Sequence, residues 1–356
     1  VRRFLLGILV LAVGLFVTFS GAWLLSDEVR YLTRAGVEEA RILERARPLE
    51  KVIADPGTDP ATRGLLQLVV EVRGFADSLG FAAGDTYTTY TDVGRDTLLL
   101  VVSASAKNCI CPHTWKYPIV GRVPYKGFFD PRMALAEAGR LERRGLDTYL
   151  RPSGAYATLG WFNDPLLSTA LTRDSMELAA TVFHEMAHNT LYVKSATAFN
   201  ESFAQYAGYH AAARFFATRG DTLAARRALD RWADERVLAG YYNGLISRLE
   251  AFYSSKPDSA ALDSGRVALG QWSRDTLTTH IAPLLRTFQI GPMAARPINN
   301  ARLVGVLIYR THLDWFEQWH QAKGGKVREA VASLSSLMSG VAGDSAFARL
   351  DAALGR

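Results

Sequence analysis

Asp174-Ser175-Met176-Glu177-Leu178-Ala179-Ala180-Thr181-Val182-Phe183-His184-Glu185-Met186-Ala187-His188 is the stretch whose reading decides the fold. Asp174 and Glu177, three residues apart, predict a capping box at a helix start. Leu178, Val182, Met186 and the alanines keep one side apolar, and the pattern runs to about Val193 without Gly or Pro. His184 and His188 are four apart, so on a helix both imidazoles share a face and reach one ion. Glu185 is rotated about a third of a turn from His184. It can stand beside the ion without ligating it and act on a water. Zinc takes neutral nitrogen and carboxylate ligands in a tetrahedron, with one position open when the site is catalytic. The five residues supply two ligands and a base.

A third ligand is required. A His six positions after His188, with a Gly between, would mark one zinc-peptidase class; Lys194 and Leu191 occupy those positions and exclude it. Asn200-Glu201-Ser202-Phe203-Ala204 offers a carboxylate instead. A short loop through Ser195, Ala196 and Thr197 then leads to a second helix carrying Glu201. Asn200 and Gln205 are the candidates to orient the ligands from behind. His210 lies roughly half a revolution from Glu201 on an ideal helix and should face away. The expected complement is one Zn2+ per chain, on His184, His188 and Glu201.

The chain has 356 residues and a net charge of +6, with mixed charges and no block of Lys or Arg. That pattern describes a solvated surface and carries no nucleic-acid motif. No obligate protein partner is evident. Phe4 to Leu25 holds no charged residue and is long enough to cross a bilayer as a helix, which takes about 20 residues. It predicts an anchor in a bacterial inner membrane with the remaining chain on the periplasmic side. Cleavage near Ala22 and release is the alternative. Cys109 and Cys111 are the only cysteines. A bond between residues two apart would be strained, so two small half-buried thiols are expected.

The remaining pattern divides the chain into a membrane segment (1–25), a juxtamembrane helical hairpin (26–84), a sheet with the zinc region (85–220) and a helical C-terminal region (221–356). Helices are expected over Ser26 to Ala54, Pro60 to Leu79, from Asp130 to about Arg144, and from Thr222 to Phe252 with Trp232, Tyr241 and Leu245 in the core. Others are expected over Ser264 to Phe288 and from Asn299 towards Trp319. Strand signals lie at Thr86 to Thr91, Thr97 to Ser103, Tyr117 to Tyr125, Thr148 to Leu150 and Ala155 to Leu159. The class is α+β: a mostly helical body with a small mixed or antiparallel sheet beside the metal helix, zincin-like. Ser153 to Phe162 is placed to be a sheet edge on which a peptide substrate lies, with Gly154, Ala155 and Tyr156 in contact with it. Tyr156, Tyr206, His113 and Arg302 are candidate donors to an oxyanion. Asp164 is the candidate anion for a substrate's free amine.

Several blocks together resemble a family of predicted bacterial aminopeptidases with a gluzincin-type zinc motif, many of them membrane-attached. They are Tyr87 to Arg95, Trp115 to Gly121, Tyr125 to Phe129, Ala155 to Phe162, Phe183 to His188 with Tyr192 to Lys194, Phe199 to Ala204, and Asn299 to Leu303 with Tyr309. The resemblance implies a zinc peptidase with His184, His188 and Glu201 as ligands and Glu185 as base. The chain departs from the family pattern in carrying an apolar span in place of a lipoprotein Cys, and Lys126 where Arg is expected. Two other readings compete with it: a membrane-anchored zinc scaffold without turnover, and a metal-free helical assembly. An endopeptidase on the same site is the rival within the enzyme class.

Overall fold

The computed structural model describes residues 2–117, 121–154, 165–343 and 345–356. Helix α1 (Arg2–Leu25) leaves its apolar side chains exposed and is long and apolar enough to cross a membrane. Ser26 interrupts it. The Ser26 hydroxyl accepts from the Val29 N–H and caps α2 (Asp27–Glu44). Arg30 donates to the Trp23 and Leu24 carbonyls, two of the groups a helix end leaves without partners.

The single helix expected from Ser26 to Ala54 is two. Arg47–Pro48 forms β1, and α3 (Leu49–Ala54) starts after it. Proline lacks the N–H that a helix interior needs. Asp59 caps α4 (Pro60–Ala76), which ends in a 3-10 turn at Asp77–Leu79. Helices α2 and α4 take different partners. Tyr31 of α2 meets the Phe128 ring edge-on. Lys126 Nζ stands 3.9 Å over the Tyr31 ring and 2.6 Å from Glu28. From α4, Leu66, Val69 and Val72 enter the main core instead.

The strands are short: β2 (Thr89–Thr91), β3 (Leu99–Ala106), β4 (Trp115–Tyr117), β5 (Gly121–Val123) and β6 (Tyr125–Phe128). After α5 (Pro131–Arg143) come β7 (Leu146–Ser153) and β8 (Leu166–Leu167). They form an antiparallel sheet β6-β3-β7, a mixed sheet β1-β2-β8 and a β4-β5 hairpin. Strand β3 is buried on both faces. Val102 and Ala104 pack with Ala134, Ala138 and Leu141 of α5, whereas Leu99 and Val101 pack with Ile42 and Phe129. That alternation is the period of two of a strand. Of the expected edge at Ser153 to Phe162, Ser153 ends β7, and residues 155–164 lie outside the described residues. Cys109 and Cys111 correct the sequence expectation: they are joined as a disulfide, with Cα atoms 5.2 Å apart, inside the span such a bond allows.

The rest is helical: α6 (Ser175–Thr190), α7 (Thr197–Thr218), α8 (Thr222–Ser254), α9 (Ser259–Thr276), α10 (Gly291–Ala294), α11 (Asn300–Tyr309), α12 (Leu313–Ala322), α13 (Val327–Leu337) and α14 (Ser345–Ala353). Trp232, Tyr241 and Leu245 of α8 are buried, as their spacing predicts. Helix α9 runs into a π turn and a 3-10 turn and stops at Leu284, short of Phe288. The helix expected from Asn299 to Trp319 splits after Tyr309, with His312 in the left-handed region at φ 52°. The chain is therefore α+β, mostly helical with small sheets.

Helix α11 is pinned to the sheet by its first residues. Asn299 Nδ2 donates to the Thr148 carbonyl, and the buried Asn300 gives its N–H to Asp147 and its amide to the carbonyls of Ala106 and Cys109. Arg266 pairs with Asp147 at 2.6 Å behind them. This anchoring fixes where the far end of α11, Tyr309, arrives.

Candidate metal centre and its cavity

Helices α6 and α7 form an antiparallel hairpin closed by a six-residue link (191–196). Asn200 locks that link. Its side chain accepts from the Val193 N–H at 2.9 Å and donates to the Val193 carbonyl at 2.8 Å, in a buried position. Asn200 thus holds the loop rather than touching Glu201, the next residue.

The hairpin brings His184, His188 and Glu201 together. The two Nε2 atoms are 3.3 Å apart, His184 Nε2 is 3.3 Å from Glu201 Oε2, and His188 Nε2 is 3.7 Å from Glu201 Oε1. A tetrahedral zinc with bonds of about 2.0–2.1 Å sets its ligand atoms about 3.3–3.4 Å from one another. The donor set and its spacing therefore fit zinc. Among the described residues this is the one His, Cys, Asp or Glu cluster of three with that spacing.

The electrostatics of the three are coupled. At His184, burial disfavours the charged ring, but the hydrogen bond and charge of Glu201 together with Glu185 outweigh it, and its pKa is raised. Burial, then His184, hold His188 down to about 4. Burial would push Glu201 up, yet the His184 hydrogen bond, with help from His188 and Arg151, holds it below the ordinary carboxylate value. A carboxylate and two imidazole nitrogens facing one point attract a cation to it.

A cavity of about 260 Å³ opens beside the ligands, between α6 and α7. Glu185, Gln205 and Tyr309 line it next to His184; Glu177 and Tyr209 line its other end. Gln205, expected to orient a ligand, is thus a cavity wall. Glu177 departs from its expected part in a capping box. Asp174 does accept from the N–H groups of Met176 and Glu177. The Glu177 side chain instead meets Tyr209 Oη at 3.3 Å and Arg231 Nε at 3.2 Å.

Three of the four expected oxyanion donors can be placed, and none lines this cavity. Tyr206 is fully buried with its hydroxyl on His320 Nδ1 at 2.8 Å. His113 packs against Trp115 beside the sheet. Arg302, in the first turn of α11 and at the opposite end from Tyr309, donates to the Pro297 carbonyl. Tyr156, Ala155 and Asp164 lie outside the described residues. Gly154 meets the protein's own backbone: a Cβ there would stand 2.4 Å from the Thr169 carbonyl oxygen, and Thr169 Oγ1 donates to Gly154 O. His210 faces away from the ligands and binds Glu317 at 3.1 Å, as its angle on the helix predicts.

The residue that sequence reasoning did not assign to the chemistry is Tyr309. It shares the cavity with His184 and Glu185. Burial, followed by the charge of Glu201, raises its pKa, so it stays a phenol and a donor. Tyr125 and Arg151, from β6 and β7, stand within electrostatic reach of both Glu201 and Tyr309. The sequence signals for Tyr309 and Tyr125 were their places in the resembling blocks; nothing local marks Arg151.

A family model described as "Putative aminopeptidase" matches residues 30–344, and the chain belongs to that family. No curated protein and no solved structure matches the chain.

Proposed function

We propose that the protein is a zinc-dependent aminopeptidase, with His184, His188 and Glu201 as ligands and Glu185 as the general base. The observation that carries this reading is the 3.3–3.7 Å spacing of the three donor groups, with Glu185 lining the cavity beside them. Zinc held by those residues would supply the Lewis acid that polarises the scissile carbonyl and acidifies a water. Glu185 takes the proton of the attacking water and delivers it to the leaving amine. The Tyr309 hydroxyl donates to the oxygen on which negative charge develops. The preserved base favours turnover over a scaffold, because a structural zinc has no use for Glu185. The family description favours removal of a terminal residue over internal cleavage. We further place the site on the periplasmic side of a bacterial inner membrane, with α1 as the anchor.

The test is zinc content and hydrolysis measured together. The full chain should hold one zinc, lose it in Glu201→Ala, and hydrolyse aminoacyl amides with a free amine. Glu185→Gln should keep the zinc and lose about 10²–10⁴-fold in kcat/KM. Turnover at the parent rate in Glu185→Gln, or a parent that takes up no zinc, would sink the reading.

A further inference from the structure

Glu177 and His184 are seven residues apart on α6, which returns them to the same helix face about 10 Å apart along the axis. Ala180 and Thr181 fill the face between them, and Gly208 with Tyr209 of α7 forms the opposing wall. The cavity of about 260 Å³ is thus a slot with the candidate chemistry at one end and a carboxylate at the other. Its size is below the roughly 300–1,000 Å³ of pockets that enclose drug-sized ligands. It accommodates one amino-acid side chain.

The charges lining the slot have one sign. Glu177 and Glu185 contribute carboxylates, and among the described residues no Lys or Arg lines it. Arg231 approaches Glu177 from outside the lining, with its guanidinium stacked 3.6 Å over the Phe288 ring. Its Nε, 3.2 Å from Glu177, makes no hydrogen bond of good geometry. Tyr209 gives Glu177 one long hydrogen bond of 3.3 Å. An ionised carboxylate offers about four acceptor sites. Among the described residues Tyr209 and Arg231 are the side chains that reach it, and acceptor capacity remains for a donor arriving through the slot. Burial raises the Glu177 pKa and Arg231 only partly offsets it, consistent with a carboxylate that its own protein compensates incompletely.

We propose that this slot selects a cationic side chain, that of lysine or arginine, on the terminal residue to be released, with Glu177 as the residue that reads its charge. The proposal rests on the aminopeptidase reading for the direction in which the substrate lies. A lysine side chain carries its ammonium on four methylenes, about 6 Å from its Cα by standard bond lengths. With its carbonyl beside the ligand end, that reach carries the ammonium towards Glu177, which lines the same slot. An apolar chain of the same length would strip water from the half-buried carboxylate and leave it only Arg231 and one long Tyr209 bond, which disfavours it.

Two measurements test this. The first is kcat/KM for lysyl, arginyl, norleucyl and glutamyl coumarin amides. Lysyl and arginyl substrates should exceed norleucyl, its neutral counterpart, at least tenfold, with glutamyl lowest. Glu177→Gln keeps the size of the side chain and should cut the lysyl-to-norleucyl ratio at least tenfold. The second needs no turnover: calorimetric binding of free L-lysine and L-norleucine to the zinc-loaded protein, with tighter lysine binding expected in the parent and the difference lost in Glu177→Gln. An active enzyme with equal ratios in parent and variant overturns the slot assignment and leaves the peptidase standing. Lysine-selective binding without hydrolysis of any amide keeps the slot and overturns the peptidase. Neither selectivity nor hydrolysis overturns both.

Discussion

Gly208 on α7 meets Ala180 on α6 backbone to backbone: a Cβ added to Gly208 would stand 2.7 Å from the Ala180 carbonyl oxygen and 3.3 Å from His184 Cβ. The absence of a side chain lets the two helices that carry the candidate ligands approach this closely. Alanine would ordinarily favour a helix over glycine by about 0.5–1 kcal/mol. Here the added methyl meets backbone, which cannot turn aside, so the helices must part. Gly208→Ala should therefore destabilise the fold by about 1–3 kcal/mol, the usual cost of overpacking. It should also weaken zinc at least tenfold by spreading His184 from Glu201. Urea unfolding and a zinc competition titration check the two effects. Unchanged zinc affinity would mean that the hairpin spacing does not set the site.

Asn200 gives a second route to the same geometry. Its amide closes the α6–α7 link on both backbone groups of Val193. Asn200→Ala leaves a buried N–H and a buried carbonyl without partners, at about 1–3 kcal/mol each when no water replaces the amide. We expect a loss of about 2–4 kcal/mol in urea unfolding, with zinc affinity falling because Glu201 is the adjacent residue. Asn200→Asp restores only the acceptor and should recover part of the stability. Equal stability of parent and Asn200→Ala would refute the assigned role.

How far the sequence reached is clear from these residues. That His184, His188 and Glu201 meet was legible because helix periodicity and one short loop relate them, all within a single hairpin. Helix α8 was legible because its apolar spacing persists over 33 residues. Tyr309 was not, because α11 reaches the site through Asn299 and Asn300 anchored on strands some 150 residues earlier in the chain. The same limit applies to Tyr125 and Arg151, which the sheet register brings to Glu201. Glu177 was misread for a different reason. Its local pattern fits a capping box, but the tertiary partners Tyr209 and Arg231 draw its side chain to the cavity. The helix from Asn299 onward was read as unbroken because no Gly or Pro marks the turn at His312. That turn ends α11 at the residue that faces the ligands.

Tyr309→Phe isolates the proposed donor. The ring and its packing remain, and only the hydroxyl is removed. A donor that acts on developing charge changes kcat far more than KM. The expected loss in kcat is about 10²–10³-fold, as for removal of one oxyanion donor, with KM within a few-fold and zinc content unchanged. If KM rises and kcat holds, Tyr309 binds substrate and does not serve the transition state.

The cluster on the far face of α7 gives a prediction independent of zinc. His210, which turns away from the ligands, binds Glu317 at 3.1 Å, and Trp232 Nε1 donates to the same carboxylate at 2.6 Å. His320 accepts or donates at Nδ1 with Tyr206 and stands with its ring 4.0 Å from that of His210. Burial, then His210, depress the His320 pKa to about 4. An unfolded histidine titrates near about 6.5. Between those values the unfolded chain binds a proton that the folded chain refuses. Stability from this group is therefore full above about pH 6.5 and is lost as pH falls towards 4. Glu317 is depressed as well: burial alone would raise it, but the hydrogen bonds from His210, Gln321 and Trp232 dominate. Its contribution is present above the ordinary carboxylate range, near about pH 4.3, and is lost only at lower pH. Between pH 7 and 5 His320 thus contributes together with the other depressed histidines, His113, His188 and His312. The urea midpoint of the zinc-free chain should fall over that interval, and His320→Asn should flatten the fall, whatever its effect on stability at pH 7. Comparing the two slopes cancels the titration of His113, His184, His188 and His312, which both proteins share. Parallel slopes would show that His320 takes up its proton in the folded chain at an ordinary pH.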